Sequence, residues 1–449
     1  METKKKGFPA AFWVCACTEI FERLAYYLGR SLILIFVTAS VATGGLGLSD
    51  TVAANMQSNL TAFSYLLPLF GAVIVDKYIG ARYTTPVGMF IAAAGYFTGG
   101  IAKSSAGVYA MIFLVSLGLA LFKNGAIIGR VITDKSQMDP AFSMRYTLVN
   151  VGAFIGTFLV GILYKDVFAK DGVLGFAPCF KMAALMMVLG GLWYIFVCWR
   201  FLGDLGKLPF KKTLTEEEKA AEAKKKEETG TKQPLTTIEK KRIGAIFVAS
   251  LFSIVFWIFW YLGYMPDRAY WADTVDWVVA GYQVPSTWFD AANSLFCVIL
   301  GPVTAALWKK LAARPQGDMS LFRKTGLGIA IIGVGYLFYA AIDIMRGGEK
   351  ASVLWLIVFA FLLTMGEMFF SPLGHSFISK YSPSRYLAVM MSVWGFATFI
   401  AAKSYGPVYG LLFGGKIEFK VACIGVAVVS FAAALIMIAL DKKLSALVD

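Results

Sequence analysis

Apolar residues fall into twelve long runs cut by short charged or Gly/Pro-bearing stretches: residues 8–40, 50–76, 84–101, 106–130, 140–164, 178–202, 241–265, 284–310, 321–345, 350–372, 384–413 and 418–441. Each is long enough to cross a bilayer as a helix, which takes about 20 apolar residues. Between the sixth and seventh runs, residues 211–242 hold ten Lys/Arg and seven Asp/Glu and almost no large apolar side chain. Such a stretch cannot bury a core and reads as a solvated linker that carries, at most, a charged surface helix. The pattern therefore predicts an all-α membrane protein made of two six-helix bundles: an N-terminal bundle over 1–205, a charged linker over 206–242 and a C-terminal bundle over 243–449.

Composition agrees. Of the 449 residues 58% are hydrophobic and 16% charged, against about 25% charged in a soluble chain. A twelve-helix chain of this length leaves no room for a large extramembrane enzyme domain. The net charge of +14 does not point to nucleic acid, because the basic residues sit in short segments between apolar runs, where they set orientation. With the N-terminus placed in the cytoplasm, inner segments and linker hold 28 Lys/Arg and outer segments eight. That asymmetry predicts that both termini and the linker are cytoplasmic. Met-Glu-Thr-Lys-Lys-Lys leads into a run far longer than a signal-peptide core, so no cleaved leader is expected. The six cysteines (Cys15, Cys17, Cys179, Cys198, Cys297, Cys423) form no C-x-x-C pair and predict neither disulfides nor a thiolate metal site.

Six cationic residues remain beyond those counted for orientation. Lys181 and Arg200 lie near run ends, where their side chains can snorkel to the interface. Lys403 lies deep in the eleventh run with no local partner in the sequence. The others carry chemistry. Glu19, Glu22, Arg23, Tyr26, Tyr27 and Arg30 stand at i, i+3, i+4, i+7, i+8 and i+11, one continuous stripe on a helix. An ionisable group at the bilayer centre costs at least a few kcal/mol, whereas an ion pair on a helix surface returns only tenths, so a purely structural ladder does not explain four of them. Lys123 in LFKNGAIIG and Glu367 in TMGEMFFSP are single charges in apolar surroundings, one in each half. Each requires a partner or a wet cavity. Cations in one half and a carboxylate in the other, facing a central cavity, suit a zwitterion.

The first-helix pattern E-x-x-E-R followed by Y-Y resembles the signature of the proton-dependent oligopeptide transporters, a branch of the major facilitator superfamily. YLLPLFGAVIVDKYIGAR resembles that family's second helix and loop, LFKN its fourth helix, RYTLVNVGAFIG its fifth, VPSTWFDAANSLFCVILGPVTAALW its eighth, and GEMFFSPLGHSFISKYSP its tenth with the exit loop. The motifs occur in family order over nearly the whole chain outside the linker. The resemblance implies a twelve-helix major facilitator fold and proton-coupled symport of di- and tripeptides by alternating access, with no cofactor. It assigns Arg23, Arg30 and Lys123 to the peptide carboxylate and Glu367 to the amino end. Asn150 and Asn293 are similar to amides that bind the peptide backbone, although interhelical hydrogen bonding explains such residues equally well. Tyr26, Tyr27, Tyr65, Trp257 and Trp394 resemble pocket walls, and Glu19 and Glu22 resemble proton-responsive carboxylates paired with Arg23 and Lys123. A compact chain without a targeting segment suggests a bacterial inner membrane, and the expected state is a monomer.

Three features depart from the family pattern. Tyr261 and Leu262 stand where a seventh-helix acid and glutamine are usual, so the sequence offers no acid there for Arg30; K-P-N is replaced by Lys123-Asn124-Gly125; and the charged linker takes the place of two extra helices found in many bacterial members. His375, the only histidine, reads as a loop residue rather than a proton relay. No P-loop, H-E-x-x-H or G-x-S-x-G occurs, which leaves ATP drive and hydrolysis without residues. Two rival readings remain at this level: a transporter of another small zwitterion or anion, such as a peptide-like conjugate, and a non-transporting peptide receptor.

Overall fold

The computed structural model describes residues 7–132, 137–209, 235–265, 270–315, 319–370, 377–378, 381–383 and 386–448. His375 and most of the predicted linker lie outside the described residues. The long helices are α1 (Ala10–Thr38), α2 (Asp50–Lys77), α3 (Ala81–Ile101), α4 (Ser105–Leu121) continued after a break by α5 (Asn124–Val131), α6 (Met138–Ile162) and α7 (Phe176–Arg200). The second half of the chain forms α8 (Thr237–Gly263), the short α9 (Tyr270–Thr274), α10 (Thr287–Ala312), α11 (Leu321–Met345), α12 (Leu354–Phe370), α13 (Leu387–Phe413) and α14 (Phe419–Val448). Counting α4 and α5 as one crossing, the described residues form twelve long helical segments, one for each apolar run.

Eight segments are long and apolar enough to span a bilayer by length and composition. The first is not among them, because every 18-residue stretch of α1 contains three or four of Glu19, Glu22, Arg23 and Arg30. The charges that make α1 chemically informative are what blunt its hydropathy signal.

Helix ends follow local chemistry. α8 begins at Thr237, four residues ahead of its apolar run, behind a complete capping box in which Thr236 accepts from the Glu239 amide and Glu239 accepts from the Thr236 amide. In the loop after α9, strands β1 (Val275–Asp276), β2 (Val278–Val279) and β3 (Tyr282–Gln283) precede α10, and β4 (Ala351–Ser352) precedes α12. β2 and β3 form a hairpin whose two turn residues, Ala280 and Gly281, have φ of 50° and 80°, the signs a type I′ turn requires. β1 pairs in parallel with β4.

The chain separates into two compact units, residues 1–48 with 66–214 and residues 49–65 with 215–449. In the first, α3 packs on α4 and α7, and α1 packs on α5, α6 and α7. Its apolar core joins Phe12 and Cys15 of α1 to Ile127 and Ile128 of α5 and to Tyr194 and Val197 of α7. In the second, α11 packs on α12 and α14, α8 on α13 and α14, and α10 on α12. Residues 49–65 join this unit through Ser58, whose hydroxyl donates to the carbonyls of Ala402 (2.7 Å) and Lys403 (3.0 Å), and through Thr61, 3.2 Å from the Tyr405 hydroxyl. Both units use facing glycines for close helix approach: a Cβ on Gly88 or Gly118 would collide with the opposite carbonyl between α3 and α4, and Gly328 and Gly366 stand in the same relation between α11 and α12.

Candidate functional site

In the first unit most of the α1 stripe is buried, with Glu19 2%, Glu22 0% and Arg30 8% exposed, while Arg23 keeps 26% of its side chain exposed. Arg23 grips Glu22 through two bonds, Nε to Oε2 at 2.5 Å and Nη2 to Oε1 at 2.6 Å. Its guanidinium also stands 4.9 Å from the centroid of the Tyr26 ring, a cation–π distance, and Tyr26 meets Tyr27 edge-on at 5.4 Å. One fork of donors thus satisfies a buried carboxylate while its face rests on an aromatic ring.

Glu19 is held differently. Its Oε1 accepts from Arg145 Nε of α6 at 3.0 Å and from Asn124 Nδ2 of α5 at 3.1 Å. Asn124, itself fully buried, also donates to the Cys15 carbonyl at 2.8 Å. Neither residue was singled out by the sequence. Arg145 reads there as an orientation charge at the edge of a run, and Asn124 only as part of a departure from the family motif. The E-x-x-E-R pattern of α1 carries no signal for partners 105 and 126 positions away.

Lys123 occupies the break between α4 and α5, with Phe122 extended (φ −74°, ψ 105°) and Lys123 itself non-helical (φ −125°, ψ 31°). Its backbone N–H donates to Thr85 Oγ1 at 3.3 Å, and its Nζ donates to the Pro68 carbonyl at 2.8 Å. Asn150 turns its amide back into α6, donating to the Tyr146 carbonyl at 3.0 Å.

In the second unit Glu367 of α12 is 8% exposed. Asn293 of α10 donates from Nδ2 to Glu367 Oε2 at 3.0 Å and to Thr364 Oγ1 at 2.9 Å, and the Cys297 thiol lies 3.8 Å from the same carboxylate oxygen. Among the described residues these hydrogen-bonding partners are neutral, so none of them compensates the charge of Glu367. Around it stands an aromatic wall: Trp257 and Tyr264 flank Trp260 at 5.5 and 5.0 Å, Trp257 meets Phe370 at 6.1 Å, and Phe370 stacks on Trp394 at 6.0 Å. Tyr261, which stands in the place of the usual acid, donates to the Tyr65 hydroxyl at 3.4 Å and packs on Tyr405 at 4.8 Å. Lys403, without a partner in its own run, donates to Asn59 Oδ1.

The chain resembles proteins of known kind. The profile of the POT family, PTR2, matches residues 204–412. The sequence is 25% identical to the uncharacterized transporter YclF of Bacillus subtilis, over 89% of this chain and 87% of that protein. It is 24% identical to the peptide transporter YePEPT of Yersinia enterocolitica, over 89% and 86%, and 24% identical to a di-/tripeptide transporter of Lactococcus lactis, over 86% of each. The fold is similar to the crystal structure of a peptide transporter POT in complex with sulfate, with a TM-score of 0.86, 23% identity and 99% of this chain and 98% of that one covered. It is also similar to the POT family transporter PepTSo, with a TM-score of 0.78, 19% identity and coverage of 98% and 99%. Twelve helical segments in a fold similar to solved POT transporters, the E-x-x-E-R helix with its buried charges and relatives aligned along nearly the full chain lead to one reading: this multi-pass membrane protein is similar to POT-family peptide transporters, whose family model matches its residues 204–412.

Proposed function

We propose that the protein is a symporter that carries di- and tripeptides together with protons by alternating access. The observation that carries this reading is the Glu22–Arg23 pair on a membrane helix, in which the carboxylate is fully buried and the arginine keeps 26% of its side chain exposed. A substrate carboxylate can take over the two donors of Arg23, and the Glu22 it displaces would be left buried without its counter-charge. Breaking a buried pair in that way costs about 3–5 kcal/mol, and uptake of a proton by Glu22 removes the charge. Substrate binding and proton binding are then linked through one guanidinium. A membrane potential supplies about 2.3 kcal/mol per charge per 100 mV to drive the cycle.

In this reading Arg23, Arg30 and Lys123 receive the peptide carboxylate, and Glu367, oriented by Asn293, receives the ammonium. A buried carboxylate whose partners are neutral suits a cationic ligand. Asn150, Tyr26, Tyr27, Tyr65, Trp257 and Trp394 supply polar and aromatic contacts along the substrate. Glu19 supports the proton-responsive stripe. The excess of basic residues in the inner loops supports cytoplasmic termini, and this reading takes the protein to act as a monomer in the lipid bilayer of a bacterial inner membrane.

Uptake of labelled dialanine into proteoliposomes tests this. Accumulation under an inward proton gradient, abolished by a protonophore, is the expected result. Equal uptake with and without the gradient, or binding without uptake, would overturn it.

A further inference from the structure

Arg145 belongs to none of the roles assigned so far, yet three separate features build its position. Gly152, two turns further along α6, sits where a Cβ would meet the Ile20 carbonyl at 2.9 Å and Arg23 Cβ at 3.0 Å, so this face of α6 lies directly on α1. Residue 145 is on the same face, seven positions earlier. The guanidinium then lies over Gly125: a Cβ there would be 3.0 Å from Nη2 and 3.1 Å from Cζ. Finally, Asn124 fastens α5 to α1 through the Cys15 carbonyl and offers its amide to the same Glu19 oxygen that Arg145 holds. The Asn-Gly that replaces the usual Pro-Asn after Lys123 is therefore what this arrangement uses: an amide donor in one place and an empty Cβ position in the next.

Glu19 stands four positions before Arg23, the spacing at which an acid and a base on one helix pair. Arg23 already serves Glu22 at 2.5 and 2.6 Å. A Glu19 deprived of Arg145 would be a buried carboxylate with a cation one turn away on its own helix, and Arg23 would face two acids. We propose that Arg145 is a positioning residue that keeps Glu19 occupied and so reserves Arg23 for exchange between Glu22 and the substrate carboxylate. The proposal rests on the reading of Arg23 as a carboxylate ligand.

The test uses the full-length protein in proteoliposomes, with dialanine competing against labelled peptide in counterflow without a pH gradient. Arg145→Gln is expected to weaken dialanine competition by about tenfold, and Glu19→Gln/Arg145→Gln to return it to within about threefold of the Glu19→Gln single variant, because a glutamine at 19 exerts no charge on Arg23. Arg145→Gln strands a buried carboxylate and can lower expression, so the Glu19→Gln single variant supplies a second comparison. Adding Arg145→Gln to that background is expected to change competition by less than about threefold. An Arg145 that served only packing would give no rescue, and that result overturns the proposal, as does unchanged competition in Arg145→Gln. Arg23→Gln separates the two layers. If it leaves competition unaltered, the reading of Arg23 itself fails; if it weakens competition while the double variant shows no rescue, only the role of Arg145 fails.

Discussion

Asn293 donates its side-chain amide to Glu367 Oε2 at 3.0 Å, so an amide that resembles a peptide-backbone ligand is committed to orienting a carboxylate. With Thr364 taking the second bond of the same Nδ2 at 2.9 Å, the Glu367 oxygen is held at a fixed place on α12. Lys403, the one intramembrane cation of the second unit without a place in the motifs, is engaged by Asn59 rather than by this acid. In the proposed function the ligand's ammonium supplies the counter-charge, held by a charge-assisted bond about twice as strong as a neutral one.

N-acetylation removes that ammonium charge. Acetylated dialanine is expected to compete at least about tenfold more weakly than dialanine, the loss of about 1.4 kcal/mol. In Glu367→Gln the ratio between the two ligands should collapse toward one. Asn293→Ala should weaken dialanine while keeping a ratio well above one, since the charge stays and only its orientation is lost. Equal competition by free and acetylated ligand in the wild type would remove Glu367 from the substrate site.

Glu22→Gln is expected to abolish proton-driven accumulation and to leave counterflow between preloaded vesicles. Glutamine keeps the volume of the fully buried side chain and cannot exchange a proton, so exchange of substrate survives while its coupling does not. Concentrative uptake by Glu22→Gln vesicles under an imposed pH gradient would show that the coupling proton is carried elsewhere.

What could be read along the chain was whatever repeats with a helical or bilayer period. The twelve runs became twelve helical segments, and the α1 stripe is visible because Glu19, Glu22, Arg23, Tyr26, Tyr27 and Arg30 share one face at helical spacing. The start of α8 was also written in Thr236-x-x-Glu239, but the density of charge there pointed to linker instead of helix. Arg145 and Asn59 were not legible, since nothing local marks a partner 126 or 344 positions away. Arg145 acquires its meaning only when Gly152 lets α6 settle on α1. The break at Phe122 and Lys123 likewise carries no proline to announce it.

The two intramembrane lysines separate in their expected phenotypes. Lys123, at the helix break beside the α1 stripe, is assigned to the substrate carboxylate, and Lys123→Ala should weaken peptide competition by about tenfold or more. Lys403 makes its bond to Asn59 inside the second unit, so Lys403→Ala should lose about 0.5–1.5 kcal/mol of stability, read as a lower Tm in detergent, with competition little changed. Equal losses of affinity in both, at matched expression, would mean that the substrate lysine has been misidentified.

Outside the membrane helices, Tyr270 of α9 gives a pH signature of a different kind. Its ring stacks on Phe419 at 4.1 Å and 1°, its hydroxyl donates to Asp343, and Arg346 Nη2 donates to the same hydroxyl at 2.5 Å while Arg346 Nε donates to Asp343 at 2.8 Å. Burial, and then the bond to Asp343, push the phenol up from its ordinary 10 to about 12. The folded state thus favours the neutral hydroxyl, so its contribution to stability is fully present below pH 10 and is lost as the pH rises through about 12. The Tm difference between wild type and Tyr270→Phe should therefore be constant from neutral pH to about pH 9 and shrink toward pH 12. Asp343→Asn should remove part of that pH dependence, because the remaining burial shifts the phenol less. A Tm difference that stays constant across the alkaline range would show that the Tyr270 hydroxyl contributes through packing alone and that its bonds to Asp343 and Arg346 do not hold this loop.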